Sequence, residues 1–183
     1  MADNYLENKM EEHRRAQASG RSASSYKGAP RRQIFNEHFE RRRIFVCDGL
    51  SERGAAIVRR MSESGGRVAF DGADVREGTA LAQSCGARFY PVEAVSASSV
   101  REALGALGEV WGGVDVIVSP TAELVGECEA RLITYESDDD GVSSRRNTVI
   151  DAPSLTAAEL ARIILFAALE SSDSLAGKRV RVE

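Results

Sequence analysis

The stretch IFVCDGLSERGAAIVRRM, residues 44–61, gathers the residues best placed to do chemistry. A short apolar run leads into a turn, and the turn leads into an amphipathic helical pattern. A turn at the start of a helix is a natural seat for phosphate, because free backbone amides and the helix dipole both favour an anion. Such a seat needs bare backbone, and therefore glycine. Here only Gly49 and Gly54 lie in the turn, Asp48 and Glu52 stand among them, and Arg53 is adjacent. A carboxylate held ~4–5 Å from a phosphate costs on the order of a few kcal/mol at surface dielectric. Arg53 can offset part of that cost.

Other groups have less company. Cys47, Cys85 and Cys128 show no CxxC or Cys/His spacing. An odd number of cysteines without a secretory signal leads us to expect reduced thiols and a cytoplasmic protein. Cys47, just after a strand-like run, reads as a reactive thiol or, preferably, as a small buried apolar residue. Asp138-Asp139-Asp140, with Glu136 and Asp151 nearby, could offer oxygen ligands to a hard cation. Acidic runs of this kind are ordinarily solvated turns, so no metal is expected. His13 and His38 have no ligand partner at useful spacing, and Trp111 reads as core.

The elements that would position these groups follow a regular rhythm from residue 43. Strand-like runs at 43–47, 67–70, 88–92 and 114–119 alternate with helical patterns at 52–64, 75–85 and 97–111. Strands separated by helices at this spacing imply a parallel sheet. Their continuous apolar character fits strands covered on both faces. The rhythm then breaks. Residues 120–130 allow at most a short helix. Strand patterns at 131–137 and 147–153 flank an acidic loop containing Asp140-Gly141, which is compatible with either a parallel crossover or a hairpin. A strong helix at 156–172 and an edge strand at 178–183 close the chain.

The 183 residues suffice for one domain with a sizeable core. Residues 1–42 read as an arm: a helix over 2–17, a Ser/Gly/Ala linker over 18–30, and a docking segment anchored by Ile34, Phe35 and Phe39. Residues 1–43 carry ten Lys/Arg against six Asp/Glu, and the remainder carries fourteen against twenty-two. A basic arm on an acidic body can lie on its own body or on a neighbour's. The acidic residues within the arm argue against nucleic acid as a partner. No stretch approaches the ~18 apolar residues of a membrane span.

Residues 43–183 resemble the short-chain dehydrogenase/reductases, NAD(P)-dependent oxidoreductases of Rossmann fold. GAAIVRRMSESGGRVAF is similar to that family's first helix and second strand. GARFYPVEAVSASSVREALGALGEVWGGVDVIV is similar to its third strand, next helix and fourth strand, and LTAAELARIILFAALESSDSLAGKRVRV to its last helix and closing strand. The resemblance implies an α/β, doubly wound, mostly parallel sheet with a helical N-terminal arm over 1–42 and a Rossmann-like domain over 43–183. It also implies that two family helices, after the fourth and fifth strands, are shortened or missing. Losing them should bare part of one sheet face, to be covered by the arm, within the chain or in a homodimer.

The resemblance implies cofactor contacts at Gly49, Gly54, Arg53, Asp71 and Glu93. The family's loop runs Thr-Gly, three residues, Gly, one residue, Gly; Cys47-Asp48, Glu52 and Gly54 hold those places. The ribose-gripping acid falls near Gly72, between Asp71 and Asp74, and Glu93 stands for the adenine-side Asp. The Asn-Asn-Ala-Gly loop is replaced by Ser119-Pro120-Thr121-Ala122. Ser137 falls where the catalytic Ser would be, but no Tyr-x-x-x-Lys follows it, and Tyr135 reads as packing. The expected function is therefore a non-catalytic structural or interaction module, homo-oligomeric and without a cofactor. Two alternatives stand beside it: an NAD(P)-dependent oxidoreductase with an altered site, and a binder of another small nucleotide-like ligand.

Overall fold

The structure is a computed structural model that describes residues 42–136, 147–169 and 175–182. The expected helix at 2–17, the linker and the 31–41 docking segment lie outside the described residues, as do Ser137 and Asp138-Asp139-Asp140. The elements, in chain order, are β1 (Arg43–Val46), α1 (Glu52–Glu63), β2 (Arg67–Gly72), α2 (Val75–Cys85), β3 (Arg88–Pro91), α3 (Ala97–Trp111), β4 (Val116–Ser119), β5 (Arg131–Thr134), β6 (Asn147–Asp151), α4 (Ala157–Ala168) and β7 (Arg179–Arg181). Each helix starts where a side-chain acceptor is available. Ser51, Asp74, Ser96 and Thr156 accept the backbone amides of Gly54, Glu77, Ser99 and Glu159.

All seven strands are parallel, in the order β3-β2-β1-β4-β5-β6-β7. The reversal of order between β1 and β4 is the switch point at which open α/β sheets place ligands. The 131–151 region is a pair of parallel strands, with Leu132 opposite Asn147 and Thr134 opposite Val149. The hairpin alternative is therefore excluded. The connection between β5 and β6 is close to the shortest that a parallel pair allows.

The two faces are covered unequally. On one, Ile44, Val68, Val116, Ile133 and Ile150 pack beneath Ile57, Val58 and Met61 of α1, Leu81 of α2, and Leu160, Ile164 and Leu165 of α4. On the other, Phe45, Ala69, Ile117 and Leu132 meet Val100, Ala103 and Leu107 of α3. Among the described residues no helix lies over β5 and β6 on this second face. Leu132, Thr134, Asn147 and Val149 on this face are nevertheless buried. Part of the reason is visible in the β4–β5 connection. Ala122, Val125, Cys128 and Ala130 of that irregular segment pack onto the same cluster, where a family helix would run.

One polar tie joins three elements at the amino end of the sheet. Arg43 donates from Nη2 to Asp115 Oδ1 at 2.6 Å and from Nε to Oδ2 at 3.1 Å. Its Nη1 also reaches the Trp111 carbonyl at the end of α3 at 2.8 Å. Burial pushes the Asp115 carboxyl up, but the Arg43 hydrogen bonds outweigh it and hold the pKa below the ordinary value. A depressed folded-state pKa contributes stability above the unfolded pKa and loses it as pH falls. The pair is about a quarter exposed, which reduces its worth. Asp115→Asn should cost about 1–2 kcal/mol in urea unfolding at pH 7 and progressively less at acid pH, as the carboxyl takes up its proton. An equal cost at pH 7 and at acid pH would refute the charged tie.

Candidate functional site

The carboxyl ends of β1, β2, β4 and β5 converge on the turn between β1 and α1. Its first two amides are taken up by β2. Asp48 N donates to Asp71 Oδ1 at 2.7 Å, and Gly49 N donates to the Asp71 carbonyl at 3.0 Å. Asp48 sits in the left-handed region at φ 53°, a conformation that aspartate tolerates better than most residues. The Asp48 carbonyl then accepts from both Ser51 N and Ser51 Oγ, at 3.2 and 2.9 Å. Ser51 Oγ caps α1 by accepting from Gly54 N at 3.1 Å. The amides of Asp48, Gly49 and Gly54 are thus all satisfied within the chain.

Side chains close the same space. A Cβ at Gly72 would lie 2.6 Å from Leu50 Cδ1 and Cγ, so Leu50 fills the volume above the end of β2. The surviving motif glycine has a packing role. A Cβ at Gly54 would lie 2.1 Å from the Asp48 carbonyl oxygen and 2.9 Å from Gly49 Cα. Any side chain there would force the helix away from the turn.

Of the sequence-predicted residues, Gly49, Arg53, Gly54 and Asp71 meet at this turn, and Glu93 does not. Asp71 faces inward and is wholly buried, with Oδ2 lacking a hydrogen-bond partner. Asp74 is spent as the cap of α2, accepting from Glu77 N at 2.9 Å. Glu93 is exposed beyond β3. Arg53 reaches across to Glu136 at 3.3 Å in an exposed ion pair. Gly49 lies under the turn against the Phe70 ring. Tyr135 is buried among the α1 and α4 core residues, as expected of a packing residue. Burial raises its pKa, the Glu136 and Asp48 carboxylates add to the rise, and the nearby Ser51 hydroxyl lowers it. Its own hydroxyl makes no hydrogen bond. Cys47 is fully buried, and burial raises its thiol pKa, helped by Asp71 and opposed by the Ser119 hydroxyl. That is the reverse of an activated nucleophile. Among the described residues, no group of three or more His, Cys, Asp or Glu is placed to hold a metal.

One Tyr-x-x-x-Lys spacing does occur in the chain, from Tyr5 to Lys9. The pair precedes β1, whereas the family motif follows the fifth strand, and it lies outside the described residues.

No family model and no curated protein matches the sequence. Solved structures do match in architecture. The short chain dehydrogenase from Burkholderia cenocepacia J2315 in complex with NADP gives a TM-score of 0.60 at 16% identity, covering 80% of this chain and 98% of that one. BdcA of E. coli in complex with NADPH gives 0.61 at 14% identity, covering 79% and 94%. A short-chain dehydrogenase/reductase of Brucella melitensis, described as glucose/ribitol dehydrogenase, gives 0.63 at 16%, covering 79% and 96%. The fold is that of the short-chain dehydrogenase/reductases.

The residues at the switch point do not fit the dinucleotide that this fold implies. In a short-chain dehydrogenase fold the pyrophosphate needs open amides at the first turn, and the ribose needs an acid at the end of the second strand. Here the amides of Asp48, Gly49 and Gly54 are occupied, Asp48 and Glu52 bring negative charge, and Leu50 sits over Gly72.

The buried Asp71 carboxyl has its own consequence. Burial lifts its pKa to about 6; the Asp48 amide pulls it down and the Asp48 carboxylate pushes it up. A raised folded-state pKa contributes stability that is full below the unfolded value near 4, fades as pH rises through about 6, and is flat above. Asp71→Asn should therefore gain on the wild type by up to about 3 kcal/mol in urea unfolding as pH goes from 4 to 7. A pH-independent difference between the two would show that the carboxyl does not titrate in this window.

Proposed function

We propose that this chain keeps the short-chain dehydrogenase architecture without its dinucleotide chemistry, and serves as a structural or interaction module that assembles with itself as a homodimer. The observation that carries this reading is Leu50 lying over Gly72, in the place where the resemblance puts the ribose and its acid. The internal satisfaction of the Asp48, Gly49 and Gly54 amides supports it. So does the lack of a Tyr-x-x-x-Lys downstream of β5. In this reading the basic 1–42 segment supplies contacts to the acidic body on the face without the two helices, and acts in the cytoplasm.

A second reading, an NAD(P)-dependent oxidoreductase with an altered site, draws support from the NADP and NADPH complexes among the structures of the same fold. Thermal shift with NADH and NADPH separates the two. A ligand at 100 times its Kd stabilises by about 2.7 kcal/mol, which for a chain of this size is roughly 5–11 °C in Tm. The module reading expects no rise with either cofactor and a dimer by light scattering. A rise of that size overturns it in favour of the oxidoreductase, and a monomer removes the assembly role.

A further inference from the structure

The turn between β1 and α1 rests on a buried acid, and that acid has an unequal environment. Asp71 is wholly buried at the end of β2. Its Oδ1 holds the Asp48 amide at 2.7 Å, while its Oδ2 has no partner. Among the described residues, the groups that face it offer no compensating cation. The turn contributes the Asp48 carboxylate and the buried Cys47 thiol, with Cys128 beyond it. The adjoining strand β3 places Tyr90 opposite Asp71, and the Arg88 guanidinium lies 5.8 Å from the Tyr90 ring centroid. Strand β4 contributes the Ser119 hydroxyl, which donates to the Thr121 carbonyl at 2.7 Å. Helix α3 packs on this face with Val100, Ala103 and Leu107, all uncharged.

We propose that residues 48–51 form a proton-linked latch: the turn is closed on Asp71 while that carboxyl carries its proton, and it opens when the proton leaves, lifting Leu50 off Gly72. The neutral acid keeps the Asp48 N–H bond through its carbonyl oxygen and places no charge in the sheet. Loss of the proton leaves a buried carboxylate with one donor, beside a second carboxylate on a residue already in the left-handed region. Charge without solvation is costly in such a site. Opening the turn lets water reach Oδ2 and increases the distance from Asp48. Leu50 belongs to the four-residue turn whose first amide Asp71 holds, so one proton on β2 controls access to the end of that strand.

The test is amide hydrogen exchange of Asp48 and Gly49 by NMR on the full chain, expressed as protection factors corrected for intrinsic exchange. If opening restores an ordinary carboxyl, protection falls by up to about 100-fold between about pH 4 and 6.5 and levels off above, while amides in the middle of β1 and β4 hold steady. Asp71→Asn, which keeps the acceptor and cannot ionise, stays protected throughout. Asp48→Asn keeps the backbone bond and tolerates the φ, and moves the midpoint to lower pH. Constant protection in the wild type overturns the latch, as does a retained fall in Asp71→Asn. Should Asp71→Asn not fold, an unshifted midpoint in Asp48→Asn overturns it equally.

Discussion

Backbone amides at the entrance of a helix must find acceptors, and where they find them decides what the entrance can do. In this chain three of them find acceptors inside the protein. The Asp71 side chain takes the Asp48 amide, the Asp71 carbonyl takes the Gly49 amide, and the Ser51 hydroxyl takes the Gly54 amide. An anion at the same place would have to compete with three existing bonds and with the carboxylates of Asp48 and Glu52. The turn is thereby stitched to β2, and the switch point becomes part of the core.

The rest of the molecule accommodates a shortened chain on a full-width sheet. Seven parallel strands present two apolar faces, and each must be covered. The first face keeps three helices. The second keeps only α3 among the described residues, and the irregular 120–130 segment takes over part of the cover through Ala122, Val125, Cys128 and Ala130. A packed loop needs fewer residues than a helix, and its small side chains join the cluster that holds Ile117 and Leu132. Retaining the strand order while losing helices is physically reasonable, because the ladder bonds of a parallel sheet depend on neighbouring strands and not on what crosses above them.

How much of this was legible in the sequence depends on how local each cause is. The helix starts were legible, since Ser51, Asp74, Ser96 and Thr156 act within three residues of themselves. So were the apolar strands. The pairing of β5 with β6 was not, because Asp140-Gly141 suits a hairpin locally and only the neighbours β4 and β7 fix the direction. The choice between Asp71 and Asp74 was also hidden. One residue of register turns a side chain to the other face of a sheet, and no local signal says that Asp71 points at a turn twenty-three residues earlier. Leu50 gave no sign at all in the sequence; its role exists only because Gly72 is bare across from it. The Tyr5–Lys9 spacing shows the converse, a motif legible in letters but far from the position where the family's chemistry places it.

Gly54 sharpens the argument about what a motif residue proves. It is the one glycine of the family pattern that survives in its place, and taken alone it speaks for a cofactor. The packing around it removes that inference. Its missing side chain is required by the Asp48 carbonyl and by Gly49, whether or not any phosphate ever approaches. The third glycine of such a motif serves helix-to-strand packing, so it persists for as long as the fold does. The first position serves the tight turn and the second the approach of the pyrophosphate, and here they are Asp48, in the left-handed region, and Glu52. A fold shared with NADP-bound structures does not by itself decide the chemistry, since a fold can host many chemistries and the site decides among them.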